Sequence, residues 1–115
     1  MATDEDCLFC RIVAGEVPAE IVRIGQRVVA FRDVNPQAPL HALVVPRDHH
    51  TDVAALAAED PQALAELVEV ARGLAGSEGD GAYRLVFNSG AGAGQSVFHV
   101  HGHVLAGRPF GWPPG

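Results

Sequence analysis

The chain has no lysine: all eight of its basic residues are arginine, set against fourteen carboxylates, for a formal net charge of −6 over 115 residues. An acidic surplus of this kind excludes sequence-independent attraction to nucleic acid or to an anionic membrane, both of which draw on excess cations. A small anion held by local donors stays possible. Long apolar runs are missing too, and nothing approaches the ~20 residues needed to cross a bilayer. The start, "MATDEDC", is acidic and has neither the basic nor the apolar region of a signal peptide, so the cytoplasm is the expected location. Cysteine is scarce: Cys7 and Cys10 are too few and too close for a disulfide framework. Repeats, linkers and low-complexity tails are absent, and apolar residues at 48% with charged residues at 19% describe an ordinary globular protein. One domain over residues 1–115 is expected, long enough to bury a single core.

Local signals organise that domain. "DCLFCRIVAGE" reads as a short N-terminal helix with Asp6 as its cap and Gly15 as its stop. Strands are expected at "EIVRI", "RVVAFRD" and "LHALVVP", with the turn pair Gly25-Gln26 between the first two and the stiff loop "NPQAP" before the third. The clearest helix is "DPQALAELVEVARGLAG", capped by Asp60, with Pro61 in its first turn and Leu64, Leu67, Val68, Ala71 and Leu74 at helical spacing. "SEGDG" is a turn, "AYRLVFN" a fourth strand, "SGAGAGQS" a glycine loop and "VFHVHGHVLAG" a fifth strand. The fold class is α+β, with an antiparallel sheet of about five strands.

Three of the six histidines fall within five positions, at His99, His101 and His103. Alternation on a strand turns all three to one face, while Phe98, Val100, Gly102 and Val104 turn to the other. Such a row admits three readings: a polar surface without a role, a metal site of alternating histidines, or a nucleophilic His101 flanked by partners. Neutral imidazole donates from one nitrogen and accepts at the other, so neighbours can orient a central ring. His41 joins if its strand lies nearby. Just upstream, the loop's glycines let backbone N–H groups approach an anion, and Asn88, Gln95 and Ser96 add neutral donors. It is not a P-loop, because the Lys-Ser/Thr ending is missing. A phosphate cradled there lies within reach of a neutral imidazole, with Ser96 beside the charge that develops.

These residues match a known pattern. "GQSVFHVHGHVL" resembles the alternating histidine signature of the histidine-triad (HIT) superfamily. "CLFCRIVAGEVPAEIV", "AFRDVNPQAPLHALVVPRDHH" and "GRPFGWPPG" look like its histidine-triad nucleotide-binding (Hint) branch, over about Cys7 to Gly115. The "WPPG" ending favours that branch over the dinucleoside polyphosphate hydrolases. The resemblance implies a HIT-like fold with one main helix and a short N-terminal one, and a homodimer whose sheets join. It implies hydrolysis of the P–N bond of purine nucleoside phosphoramidates and related adenylates, giving AMP or GMP, with no cofactor for the chemistry. A nucleotide-binding interaction module with incidental turnover is the non-enzymatic rival.

Carried over by position, the resemblance makes His101 the nucleophile that becomes nucleotidylated. His103 and His41 contact the phosphate or the nucleophile, and His99 supports the triad. Asn88, Gly94, Gln95 and Ser96 line the phosphate and leaving-group side, and Asp33 holds the ribose hydroxyls. Leu8, Phe9, Ile12, Phe31 and Leu43 form the purine slot, and Trp112 with the terminal prolines reaches the partner's site. Gly102 departs from the pattern, which has a bulky residue there; a strand glycine costs roughly 0.5–1 kcal/mol against alanine, so looser support of His101 and His103 is expected.

Cys7 and Cys10, three residues apart, share a helix face. Free thiols and a redox pair are both open readings, although the strand that precedes a thioredoxin-type C-x-x-C is missing. The resemblance implies a structural zinc held by Cys7, Cys10, His49 and His99, a complete Cys₂His₂ set. His50, next to His49, is an alternative ligand.

Overall fold

A computed structural model describes residues 6–115; the first five residues, most of the acidic start, lie outside them. In chain order the elements are α1 (Leu8–Val13), β1 (Ile21–Ile24), β2 (Val28–Arg32), β3 (Leu40–Pro46), α2 (Val53–Glu59), α3 (Pro61–Glu78), β4 (Arg84–Val86) and β5 (Gly102–Ala106). The strands form one five-stranded sheet in the order β1-β2-β3-β5-β4, and every neighbouring pair is antiparallel. The α+β class and the five strands expected from the sequence are what the chain adopts. Among the described residues no helix is long and apolar enough to cross a membrane.

Period-two patterning divides the sheet into two faces. Val28, Ala30, Leu40, Ala42, Val44, Val104 and Ala106 pack under Leu67, Ala71 and Leu74 of α3. Phe31, Leu43 and Val45 point the other way and pack under Phe9, Cys10 and Ile12 of α1 and Cys7, which precedes it. The long helix therefore covers the back of the sheet and the short one covers a corner of the front. A carboxylate from α3 ties the back layer to the first hairpin: Glu66 Oε2 accepts from the N–H groups of Arg27 (2.8 Å) and Val28 (3.1 Å).

Several boundaries differ from the sequence expectation, and one helix is added. Cys7, not Asp6, caps α1, its Sγ accepting from Cys10 N–H at 3.4 Å. Helix α2 was not foreseen, although Asp52 caps it in the usual way, accepting from Ala55 N–H at 2.9 Å, ahead of an alanine-rich run of strong helix formers. Asp60 ends α2 and caps α3, because the residue before Pro61 is pushed out of helical geometry. Strand β5 begins at Gly102 rather than Val97. Its partner β3 runs out at Pro46, which has no N–H to extend the ladder, and Val100 N–H bonds instead to His50 O at 2.7 Å. His99 and His101 thus sit on an irregular lead-in to the strand.

Gly102 does face away from the histidines, but its site is not loose. A Cβ there would lie 3.0 Å from Leu85 Cδ1, 3.1 Å from Leu67 Cδ2 and 3.2 Å from Phe87 Cε1. The neighbours have filled the space a side chain would occupy, so support for the adjacent histidines is tight. Gly102→Leu, which restores the bulk common in the pattern, is therefore expected to overpack the core and cost about 1–3 kcal/mol. Urea unfolding reads this cost, and adding Leu67→Ala to Gly102→Leu recovers part of it.

Candidate functional site

His99 is fully buried. Its Nε2 lies 2.8 Å from Pro46 O; a carbonyl only accepts, so Nε2 carries the proton and Nδ1 holds a lone pair. That lone pair faces Cys7 Sγ at 3.3 Å and Cys10 Sγ at 3.4 Å. His49 Nδ1 completes the group at 3.6 Å from Cys10 Sγ. All four donor atoms lie within 4.8 Å of one another. A tetrahedron with Zn–S of about 2.3 Å and Zn–N of about 2.0–2.1 Å has S···N edges of about 3.6 Å, so the spacing and the donor chemistry both fit one zinc-like ion. Pro46 O supplies the outer-shell acceptor that metal-ligating histidines usually have. His50 turns elsewhere, its Nδ1 2.6 Å from Glu59 Oε1, so His49 is the histidine that faces the thiols.

His101 stands beside this cluster. Its Nδ1 donates to the carbonyl of His99 at 2.9 Å, and its Nε2 has no hydrogen-bond partner among the described residues. Phe9 meets the ring edge-on at 4.9 Å between centroids, and the His103 ring lies at 5.1 Å. Helix α1 therefore packs one face of the imidazole while β5 presents the next.

A second chain of bonds orients His103. Gln37 N–H donates to His41 Nδ1 at 3.0 Å, so neutral His41 carries its proton on Nε2. That N–H donates to His103 Nδ1 at 2.9 Å, with Asp33 Oδ2 at 3.4 Å as a further acceptor. His103 is left with its proton on Nε2, a donor with no hydrogen-bond partner among the described residues. The register brings this about, pairing Leu43 with His103 and His41 with Leu105. Burial pushes His103 down to about 4, helped by the neighbouring His101 and His41 and opposed by Asp33. Burial also lowers His41, again against Asp33. Both rings are neutral at pH 7. Asp33, His41 and His103 are close enough to share an ion, but ligation through His41 Nε2 would force a proton onto Nδ1, against Gln37 N–H. The set is a proton-ordered network rather than a metal site.

The remaining residues expected at a site divide into two groups. In the loop, Gln95 is buried and its amide is spent internally. Its Oε1 accepts from Gly90 N–H at 2.8 Å and its Nε2 donates to Thr51 O and Val97 O. It shapes the loop instead of lining it. Gly94 takes φ of 93°, in the left-handed region that favours glycine, and Gly94 and Ser96 are exposed, with Asn88 half-buried. Of the apolar set, Phe9, Ile12, Phe31 and Leu43 are buried together, with Phe9 edge-on to Phe31 at 5.5 Å; Leu8 is 45% exposed and borders the open side. Asp33 is half-buried, and its Oδ1 accepts from Asn35 N–H at 2.8 Å. Sequence reasoning missed Gln37 and Pro46, whose contributions are backbone groups. No side-chain pattern signals a main-chain N–H or carbonyl.

Two outcomes test this geometry. In ¹⁵N-histidine NMR at pH 7, His101 is expected as the Nδ1–H tautomer and His41 and His103 as Nε2–H. Stability should also depend on pH through His103. Unfolded, it takes a proton near its ordinary 6.5; folded, it does so only near 4, so between these values the unfolded chain binds more protons. Stability should be level above about pH 6.5 and fall as pH drops towards 4, and His103→Gln should make the fall shallower in urea titrations.

The HIT domain family model matches residues 14–110. An uncharacterized HIT-like protein of Synechocystis is 46% identical over 112 residues, covering 96% of this chain and 98% of its own. A maize protein described as a 14 kDa zinc-binding protein is 41% identical, covering 97% and 90%. Among solved structures, a HIT family hydrolase from Legionella pneumophila superposes with a TM-score of 0.90 at 45% identity, covering 96% of this chain and all of the other. One from Clostridium thermocellum superposes at 0.89 with 38% identity, covering 95% and 96%. On the family match and these full-length likenesses together, the chain belongs to the HIT-domain family.

Proposed function

We propose that the chain is a hydrolase of purine nucleoside phosphoramidates and related adenylates, working through a nucleotidyl intermediate on His101. The observation that carries this reading is the bond from His101 Nδ1–H to His99 O, which makes Nε2 the nitrogen that offers the lone pair in the neutral ring, beside the Nε2–H of His103. Nucleophilic imidazole needs that protonation state and no other. In the first step His101 Nε2 bonds to the α-phosphorus and the P–N bond breaks, the amine leaving with a proton taken from solvent, which the water of the second step gives back. Water then cleaves the phosphorus–histidine bond and releases AMP or GMP, restoring the ring. His103 Nε2–H, held by His41, steadies the phosphoryl oxygens as charge develops. Ser96, Asn88 and Gly94 border the leaving side, with Gln95 bracing their loop. Asp33 accepts from the ribose hydroxyls. The base lies against Leu8 and the rim of the Phe9, Ile12, Phe31 and Leu43 cluster.

Zinc, held by Cys7, Cys10, His49 and His99, has a structural role in this reading. All four positions are filled by protein donors, so none is open to substrate. The maize relative's description as zinc-binding agrees with it. A second copy of the chain completes the assembly, with Trp112 and the terminal prolines directed to its partner's site.

The nucleophile is tested by mass spectrometry of protein quenched during turnover of an adenosine phosphoramidate. One adenylate on the peptide carrying His101 is expected, and His101→Ala should lower kcat by at least about a thousandfold. Tight AMP binding with neither adduct nor turnover would instead make the chain a binding module. For the metal, one zinc per chain is expected by elemental analysis, and it should be lost in Cys10→Ser. Chelation should lower the thermal midpoint, while the protein that stays folded keeps its turnover.

A further inference from the structure

The proton order that leaves His103 with a donor on Nε2 starts at one main-chain group, Gln37 N–H, 3.0 Å from His41 Nδ1. The opposite order is chemically complete as well. With its proton on Nδ1, His41 would offer a lone pair from Nε2, and His103 would donate to it from Nδ1 across the same 2.9 Å. His103 Nε2 would then carry a lone pair, which repels phosphoryl oxygens instead of holding them. Gln37 N–H opposes that arrangement by facing His41 Nδ1, since two N–H groups cannot share one bond. The choice therefore depends on where the loop between β2 and β3 stands.

That loop is braced partly by itself. Asn35 N–H donates to Asp33 Oδ1 at 2.8 Å and Gln37 Nε2 to Asn35 O at 3.1 Å, bonds that move with the loop. Asp33 N–H reaches His41 O at 3.0 Å and closes its base. Its far side is held by the segment that follows β5. Beyond the ladder pair of Leu40 with Ala106, the two chains leave the sheet together. Gly107 takes φ of 94°, and a Cβ there would lie 2.9 Å from Pro39 Cβ, so a glycine is what lets the segment rest on Pro39. One residue on, Arg108 Nε–H donates to Gln37 O at 2.9 Å, the carbonyl of the residue whose N–H meets His41. The guanidinium is itself restrained: Nη1 donates to Pro109 O at 2.9 Å, and its carbon lies 4.3 Å from the centroid of the Phe110 ring.

We infer that Arg108 is a positioning residue for the proposed reaction: by holding Gln37, it sets the proton order of His41 and His103. It acts through those rings and not on the substrate. Every contact in the relay lies within one chain, so a second copy covering the segment after β5 leaves the relay in place. This deepens the reading of His103 as the donor to the phosphoryl oxygens, and its effect on rate rests on that reading. The proton order itself does not.

¹⁵N-histidine NMR of the full-length protein at pH 7 reads that order before any substrate is added. In Arg108→Ala the Nδ1 and Nε2 shifts of His41 and His103 are expected to converge as the two orders mix. His99 and His101 should keep theirs, because Pro46 O and His99 O orient them. Unmoved His41 and His103 signals in the folded variant overturn the inference, and so do equal changes in all four rings, the mark of general loosening. If Arg108→Ala does not fold, Arg108→Met, which keeps the stem without a donor, takes its place with the same convergence expected. Turnover of an adenosine phosphoramidate gives the second readout. Here kcat should fall about threefold to tenfold with KM within about twofold, the loss that follows when one hydrogen bond used in the transition state is misplaced. In a His41→Ala background the same substitution should change kcat by less than about twofold, since Arg108 acts through His41. An unchanged kcat, or equal losses in both backgrounds, overturns the inference. If the wild type does not turn the compound over, the His101 reading fails, and the NMR result alone decides whether Arg108 sets the proton order.

Discussion

Everything at the front of the sheet hangs on the burial of one imidazole. His99 donates from Nε2 to the carbonyl of Pro46, where β3 ends, and turns Nδ1 to the two thiols of α1. Its own carbonyl accepts the Nδ1 proton of His101. A single residue thus anchors the short helix, marks the end of the central ladder and sets the tautomer of its neighbour. Burial pushes His99 down to about 4, and neutrality is what lets one nitrogen donate while the other offers a lone pair. A zinc on that lone pair would make the anchor permanent, because a ligated ring cannot turn without breaking a metal bond.

The site's chemistry is therefore ordered by protons more than by charges. Three main-chain groups do the ordering: Pro46 O for His99, His99 O for His101, and Gln37 N–H for His41. Main-chain groups hold their direction better than long side chains, since the sheet and its loops fix them. From His41 the order passes to His103, leaving its Nε2 donor beside the Nε2 lone pair of His101. An acidic protein can present such a pair to a phosphate because local N–H groups, not net charge, make the contact.

The sheet's two faces divide the labour. Behind it, α3 and small strand residues make a tight apolar layer in which even Gly102 has no spare volume. That tightness holds β3 and β5 in the register that brings His41 to His103. In front, α1 covers a corner and edges Phe9 against His101, leaving the rest of the face less covered. The packed layer supplies rigidity and the thinly covered layer supplies access.

Much of this was legible in the residues themselves. The short run "LHALVVP", stopped at Pro46, located β3 with its observed ends, and Asp60-Pro61 located the start of α3, because strand breakers and helix caps are local physics. Cys7, Cys10, His49 and His99 could be grouped through a resemblance, but only the fold chose His49 over His50, by giving the latter to Glu59. The equal spacing of His99, His101 and His103 put all three on one face of one strand. Pro46 ended the ladder and divided them, sending the first ring to the thiols and leaving the third in the sheet. Which nitrogen carries each proton was beyond the sequence, because that depends on main-chain groups brought in from residues 37, 46 and 99. Side-chain identity is written locally; the direction of a lone pair is decided by whatever the tertiary structure places opposite it.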